Sequence, residues 1–375
     1  MAGIYIHIPF CTKKCSYCDF YSIVSFAQRA SFIKALIKEI SQRKNDLQGE
    51  EIATIYFGGG TPSLLTKQEL ASIFDAIYEN YSVKKDAEIT LEANPEDINK
   101  DYLKDLQYLS INRLSIGLQS FVERDLQMMN RRHTAQKSII SVEMAYASGF
   151  DNISVDLIYG LPNATIQEWE QNLEQVFSLP ISHLSAYHLT YEKGTLLYKR
   201  KQQNRIALVE EEQSLAQFKR LHQKVKEYGF SYYEISNFAK EKKYAQHNLS
   251  YWQQKKYLGF GPSAHSFDGE NRRWNLAKLK TYIEGVMQEK EYFEKEYLSN
   301  NDHWNDYLIT ALRTRWGINK QYVQESFDTS YFLSLKKEIQ SFIKTQDIKE
   351  TENQFVLTAK GIFISDFILE KLILV

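Results

Sequence analysis

Segment 5–18 is the most informative part of the sequence and reads Tyr5-Ile6-His7-Ile8-Pro9-Phe10-Cys11-Thr12-Lys13-Lys14-Cys15-Ser16-Tyr17-Cys18. An alternating apolar strand leads into a short polar loop that carries all three cysteines of the chain, Cys11, Cys15 and Cys18. Thiolates are soft ligands that select iron–sulfur clusters, zinc or copper(I). A four-iron cluster normally takes four cysteines, so three would leave one iron open to a ligand from outside the protein. The spacing C-x3-C-x2-C therefore predicts a metal centre that can hold a small molecule.

The same cysteines admit three other interpretations. Free cysteine packs well in apolar cores, but Lys13 and Lys14 make this loop polar and accessible. A zinc site of three cysteines and a distant histidine is a second alternative. Structural disulfides fit poorly, because the number of cysteines is odd and the intervening loops are short.

Short β-rich runs alternate with amphipathic stretches through the first half of the chain. Strands are predicted at 4–8, 54–57, 88–92, 113–118, 153–158 and 183–189. Between them, apolar residues recur at helical spacing over 26–43, 67–81, 135–148 and 166–177. This alternation implies right-handed βαβ units and a parallel sheet. Six units predict an α/β fold of the partial (β/α)6 barrel type.

Candidate site residues fall where these predicted strands end. In β/α barrels the chemistry collects at the carboxyl ends of the strands. A glycine run, 58–60, follows the second strand and is continued by Thr61 and Pro62, so the backbone there can approach a ligand closely. An ordinary loop would use the same residues. Glu92 is predicted to point inward at the end of the third strand, the alternative being a solvated edge charge.

Three further polar residues follow or interrupt apolar runs. They are Gln119, Arg131 and Asp156. A carboxylate inside so apolar a strand is costly unless it is paired, so a buried ion pair between Asp156 and Arg131 is the structural alternative to a ligand-binding role. His247, in the segment His247-Asn248-Leu249-Ser250-Tyr251-Trp252, is a candidate axial ligand to haem iron, or else a histidine hydrogen-bonded in the core. His265 is a weaker second candidate.

The pattern changes in the second half of the chain, which predicts three parts: a barrel over 1–195, a helical and irregular extension over 196–295, and a smaller domain over 296–375. A long helix is predicted over 206–228, followed by an irregular aromatic segment over 232–266. The last part reads as helices with a strand near 355–358, which predicts an α+β, winged-helix-like domain.

Composition narrows the classes of function. The chain has 375 residues, 25% of them charged, with a net charge of −1, so nothing electrostatic favours nucleic acid as a partner. The N-terminal sequence lacks the basic start and long apolar run of a signal peptide, so none is predicted. No apolar run is long enough to span a membrane. We therefore expect a cytoplasmic protein, with a peripheral position at the inner face of the membrane compatible with the sequence, as is an oligomer.

The cysteine motif, with Tyr17 before its last cysteine, resembles the signature of the radical S-adenosylmethionine (SAM) superfamily. Segment 5–11 is similar to the coproporphyrinogen dehydrogenase branch of that superfamily. The resemblance implies a [4Fe-4S] cluster on the cysteines and SAM chelating the open iron through its amino and carboxylate groups. It also implies SAM-binding roles for two sets of residues. The first set is Tyr5, Tyr17, Gly59, Gly60, Thr61 and Glu92. The second set is Gln119, Arg131 and Asp156. In the dehydrogenase these positions resemble contacts to another SAM molecule.

The pattern H-N-x-x-Y-W at His247 resembles the HemW family of haem chaperones within that branch. In that family this histidine is implicated in haem binding. Two departures separate the chain from the dehydrogenase: Phe20 stands where a fourth cysteine would follow, and only ten residues precede Cys11. The resemblance implies a chaperone that binds haem and delivers it to a haem-requiring respiratory protein. Oxygen-independent decarboxylation of coproporphyrinogen III is the alternative, and a haem-using radical SAM methyltransferase is a third possibility.

Overall fold

The computed structural model describes residues 1–374, and its centre is a run of six parallel strands in chain order. These strands are β1 (Ala2–Ile8), β2 (Ile52–Gly59), β3 (Val83–Ala93), β4 (Arg113–Gln119), β5 (Ile153–Tyr159) and β6 (His183–His188). The helices that connect them are α1 (Arg29–Gln42), α2 (Lys67–Asn80), α3 (Lys100–Tyr108), α4 (Glu123–Met128), α5 (Ala135–Ala147) and α6 (Ile166–Ser178). The predicted (β/α)6 partial barrel is confirmed.

Alternation along each strand separates the core from the barrel interior. On β1, Ile4, Ile6 and Ile8 are fully buried against the outer helices. Tyr5 and His7, between them, line a cavity on the other face. Burying each isoleucine stabilises the folded state by about 1.5–3 kcal/mol. Because the isoleucines face the outer helices, the residues between them must face the barrel interior. The inward row of the barrel is therefore available for binding.

The middle of the chain extends the same sheet at both edges. Its strands are β7 (Phe230–Glu234), β8 (Asn237–Lys240), β9 (Tyr257–Phe260), β10 (His265–Phe267), β11 (Asn271–Asn275) and β12 (Phe293–Tyr297). Its helices are α7 (Leu196–Gln202), α8 (Glu211–Glu227), α9 (Gln246–Trp252) and α10 (Leu279–Gln288). Strand β8 pairs antiparallel with β6, and β9 pairs parallel with β1. The prediction of an irregular segment over 232–266 is wrong, because strands of three to five residues are too short to show a period of two.

A buried carboxylate ties α1 to the loop that carries His265. Glu39 is fully buried and accepts hydrogen bonds from the backbone N–H of Gly261 at 2.9 Å and from the hydroxyl of Tyr282 at 2.7 Å. The amide of Asn275 also donates to it at 2.8 Å. Because a buried carboxylate needs several donors, this network fixes the position of the 261–265 loop against the barrel.

The C-terminal part has its own three-stranded antiparallel sheet, in the order β13-β15-β14. Its elements are α11 (Asn300–Leu312), β13 (Ile318–Asn319), α12 (Lys320–Ser326), α13 (Thr329–Lys344), β14 (Ile348–Glu350), β15 (Gln354–Leu357), α14 (Ala359–Phe363) and α15 (Ser365–Leu372). The order helix, strand, two helices and a two-stranded hairpin confirms the winged-helix-like prediction. The domain boundaries at 195 and 295 stay predictions. Within residues 1–374, none of the helices has the length and apolar character needed to cross a bilayer.

Candidate functional site

A cavity of about 1290 Å³ lies inside the barrel, and its walls include side chains from all six parallel strands. Every residue that the sequence singled out lines it. These residues are Tyr5, Cys11, Cys15, Tyr17, Cys18, Gly59, Gly60, Thr61, Glu92, Gln119, Arg131, Asp156, His247 and His265. The fold thus brings together positions that span more than 250 residues of sequence, while their individual roles remain predictions.

The cysteine loop is anchored to the body of the protein on both sides. Cys11 donates its backbone N–H to the carbonyl of Ile23 at 2.9 Å. Ser16, inside the loop, donates its N–H to Met129 at 3.0 Å and its hydroxyl to Met128 at 2.8 Å. These bonds hold the loop after β1 against the end of α4. The thiols are therefore presented from a fixed loop.

The three thiols are free and suited to a cluster. Burial raises the pKa of Cys11 and raises the pKa of Cys18 to about 11, so bound metal is needed to keep them as thiolates. Nη1 of Arg131 lies 3.5 Å from the sulfur of Cys15. Across residues 1–374, no three His, Cys, Asp or Glu side chains converge as the ligands of one ion would. A four-iron cluster spreads its thiolates over different irons, so three free cysteines in one loop fit such a cluster.

The glycine run lies directly against the cysteine loop and the aromatic wall. A Cβ on Gly60 would lie 2.7 Å from the carbonyl oxygen of Phe10 and 3.1 Å from the sulfur of Cys11. Gly59 has a φ of +105° and packs on the ring of His7. Only glycine fits this close approach, so the run is a built part of the site rather than an ordinary loop.

Glu92 points into the cavity, as predicted, and the alternative of a solvated edge charge is wrong. The hydroxyl of Tyr56 donates to Oε1 of Glu92 at 2.7 Å. Burial raises the pKa of Glu92 to about 7, although this hydrogen bond works in the opposite direction. A cationic group placed beside it would restore the ionised form, which is the property needed in a contact to the amino group of SAM.

Arg131 does not form an ion pair with Asp156, which was the structural alternative to a ligand-binding role. Its Nη2 donates instead to the side chain of Asn94 at 2.7 Å and to the carbonyl of Gly117 at 2.6 Å. Burial raises the pKa of Asp156 to about 6, because Ser185 and the nearby guanidinium groups offset desolvation only in part. The ion-pair alternative is therefore wrong, and the Asp156 carboxyl remains available to a ligand.

Gln119 is placed by an irregularity at the end of β4. Its φ is +69°, in the left-handed region, and the pairing of β4 with β5 shifts register between Gly117 and Gln119. A bulge of this kind re-aims a side chain and is common beside binding sites. Here it keeps Gln119 facing the cavity at the end of the strand where Arg131 also lies.

His247 lies on α9, below the aromatic wall of the cavity. It is 1% exposed, and both ring nitrogens are hydrogen-bonded: Nδ1 to the hydroxyl of Thr54 at 2.7 Å and Nε2 to that of Tyr251 at 2.8 Å. Burial lowers the pKa of His247 to about 3, which keeps the ring neutral, as a metal ligand must be. His265 is exposed and stacks on Trp274 with ring centroids 5.9 Å apart.

Several polar residues of the inward row escaped sequence reasoning. On β4, Arg113 and Ser115 line the cavity together with Gly117 and Gln119. They share one face of the strand because side chains alternate with a period of two. Had Gln119 been projected back along β4 at that period, both would have been found.

The chain is similar to known proteins over most of its length. The radical SAM superfamily pattern matches residues 5–176, and the HemN C-terminal domain pattern matches residues 298–364. The chain is 32% identical to the haem chaperone HemW of Bacillus subtilis over 96% of both chains. It is 36% identical to HemW of Escherichia coli over 70% of this chain and 69% of that one. The solved structure of coproporphyrinogen III oxidase from Escherichia coli, a radical SAM enzyme, covers 99% of this chain with a TM-score of 0.86 at 25% identity, and 89% of that chain is covered.

A three-cysteine loop after the first strand of a (β/α)6 partial barrel defines a radical SAM protein, and the superfamily implies a [4Fe-4S] cluster and SAM as cofactors. The near full-length similarity narrows this class further. The chain belongs to the HemW family of haem chaperones.

Proposed function

We propose that this protein binds haem and transfers it to haem-requiring respiratory proteins. The observation that carries the proposal is its similarity to relatives named haem chaperones over almost the whole of both chains. The structure of the coproporphyrinogen III oxidase shares the fold at a lower identity, 25%. Phe20, which stands where the dehydrogenase pattern has a further cysteine, is 65% exposed. Decarboxylation of coproporphyrinogen III is therefore the less favoured function.

The cavity supports the binding of a flat, largely apolar ligand. Its volume of about 1290 Å³ exceeds the roughly 300–1,000 Å³ of pockets that hold one drug-sized molecule. The rings of Tyr5, Tyr56 and His247 lie within 25° of parallel, with centroids 5.2–6.4 Å apart. Such rings offer their faces to a conjugated macrocycle. There is room for such a ligand beside SAM.

His247 is the proposed axial ligand of haem iron. The bond of Nδ1 to Thr54 orients the ring in the way that hydrogen-bonded partners orient metal-binding histidines. Nε2 then faces the hydroxyl of Tyr251, which also lines the cavity and which iron would replace. His265, at the exposed stack on Trp274, is the second candidate.

The cluster and SAM would be held at the carboxyl ends of the strands. Cys11, Cys15 and Cys18 would bind three irons, and SAM bound there supplies one-electron chemistry. Gly60 and Glu92 would receive its amino group, with Tyr5, Tyr17, Gly59 and Thr61 around it. Gln119, Arg131 and Asp156 would form the second set of contacts. We place the protein in the cytoplasm, with the recipient at the inner face of the membrane.

The test is a haem titration of the anaerobically reconstituted protein, followed by transfer to an apo-recipient. We expect saturable binding of one haem and an increase in recipient activity that depends on loaded protein. The same preparation, given SAM, reductant and coproporphyrinogen III, should form no protoporphyrinogen IX. Formation of that product at a useful rate, or absence of saturable haem binding, would reject the proposal in favour of the enzyme.

A further inference from the structure

The guanidinium of Arg113 is buried in the barrel without a hydrogen-bond partner. Arg113 begins β4, is 2% exposed and lines the cavity. Its Nε is buried and has no hydrogen-bond partner among residues 1–374. A buried cation without hydrogen bonds is costly, and native structures rarely leave one so.

The nearest carboxylate is already engaged elsewhere. Oε2 of Glu88 lies 3.9 Å from Nε of Arg113, which is beyond hydrogen-bond distance. The oxygens of Glu88 accept the backbone N–H groups of Gln246 and His247, both at 3.0 Å, and so cap the start of α9. Among the described residues, no other carboxylate lies within 4.0 Å of Arg113. The charge of Arg113 is therefore offset only at a distance.

Two hydroxyl groups lie beside Arg113, and one of them is buried without a partner. Thr90 pairs with Arg113 in the register of β3 and β4, and its hydroxyl is buried and unpartnered. Ser115, two residues along β4 on the same inward face, lines the cavity. A guanidinium flanked by hydroxyl donors matches a carboxylate, which accepts two parallel N–H bonds from arginine.

Arg113 begins β4 and pairs with Thr90 within β3, whereas the cysteine loop follows the carboxyl end of β1. From Arg113 to Gln119, β4 spans roughly 20 Å at about 3.3 Å per residue. A SAM molecule whose carboxylate binds iron at the cysteine loop cannot place that same carboxylate on Arg113. The partner must come from a second ligand, or from a second group of a ligand that extends to this end.

We propose that Arg113, with Thr90 and Ser115, is a carboxylate-binding subsite at the start of β4. This inference rests on the proposed function, under which the carboxylate is a propionate of haem. The backbone of His247 is bonded to the same Glu88 that faces Arg113, so a haem with iron on His247 would have a propionate near this subsite. The carboxylate of a second SAM molecule is the other source of the same chemistry.

The experiment compares wild-type protein with Arg113→Gln in titrations with haem and with haem dimethyl ester, whose propionates are blocked. We expect Arg113→Gln to weaken haem binding at least tenfold while leaving the ester unchanged. Arg113→Lys, which keeps the charge, should recover part of the affinity. Arg220→Gln, which removes an arginine paired with Glu170 outside the cavity, is the matched control and should bind haem as wild type does. If Arg113→Gln unfolds because the Glu88 carboxylate loses the nearby positive charge, the double variant Glu88→Gln with Arg113→Gln removes that carboxylate as well. The haem titrations are then made on the double variant.

A second arm measures bound SAM per cluster in the same variants, with 5′-methylthioadenosine as the ligand without a carboxylate. Loss of one SAM in Arg113→Gln, with haem binding intact, would support the subsite and assign it to SAM. Equal loss of haem and its ester, or no change in either haem or SAM binding, would overturn the inference. Absence of haem binding by wild-type protein would reject the proposed function, and the SAM arm alone would then decide the subsite.

Discussion

Nε2 of His247 lies 2.8 Å from the hydroxyl oxygen of Tyr251, so the nitrogen proposed to bind iron is occupied by a tyrosine of its own helix. Iron would have to displace this hydroxyl. Tyr251→Phe removes the competitor and should tighten haem binding by about twofold or more, since a modest net hydrogen bond is worth about 0.5–1.5 kcal/mol.

His247→Ala should shift the Soret band or the spin state of bound haem, because the axial ligand sets those properties.

Absorption spectra of the haem-loaded variants test this expectation. The spectrum of His265→Ala is compared with that of His247→Ala. SAM binding should change less than haem binding in all three, because Cys11 and Gly60 follow the carboxyl ends of β1 and β2, whereas His247 bonds to Thr54 near the start of β2. A spectrum that changes in His265→Ala and not in His247→Ala would move the ligand to the exposed histidine.

Loss of the cluster should be separable from loss of the fold. In Cys15→Ser we expect the charge-transfer absorption of the cluster to disappear while the helical circular dichroism is retained. The reason is that the buried rows of the strands, and not the anchored loop, carry the apolar contacts of the barrel. Global unfolding of this variant would instead show a metal that is required for folding, as in small zinc domains.

Gly60→Ala should damage the site more than the fold. The added Cβ would lie 2.7 and 2.8 Å from the carbonyl oxygens of Phe10 and Ile8, so the cysteine loop must shift. We expect a cost of about 1–3 kcal/mol in stability, as for other overpacked positions, and at least a tenfold loss of SAM affinity. Gly194→Ala, at a φ of +92° with nothing within 4 Å, is the control for backbone strain alone. SAM affinity that falls equally in both variants would contradict a specific role for Gly60.

Glu92 should make the protein without SAM less stable as pH rises. Its pKa is raised from 4.5 to about 7, so between these values the folded state binds more protons than the unfolded state, and stability falls with increasing pH. Glu92→Gln can still accept the hydrogen bond from the hydroxyl of Tyr56, but it removes the pH-dependent contribution of Glu92 to stability. The melting temperature of the variant minus that of wild type should therefore increase from pH 5 to pH 8. A difference that stays constant with pH would show that Glu92 does not titrate in this window.

The barrel and most of the residues that line the cavity could be predicted from local sequence patterns. Alternating apolar residues on β1 and the helical spacing of α1, α2, α5 and α6 are local patterns, so the six βα units could be predicted. The rule that chemistry collects at the carboxyl ends of strands then placed Cys11, Glu92 and Gln119 together. The cysteine spacing and the H-N-x-x-Y-W pattern carried the resemblance to the family.

The hydrogen-bond partners of the cavity residues could not be predicted from local patterns. Arg131 bonds to Asn94 and Gly117 and not to Asp156, and the nitrogens of His247 are taken by Thr54 and Tyr251. Strands β7 to β12 extend the sheet at both of its edges. Each of these strands is too short for its own sequence to show a strand pattern. Arg113 shows the physical reason most clearly. Whether a buried charge has a partner depends on distances between strands and helices far apart in the chain, and no local pattern contains those distances.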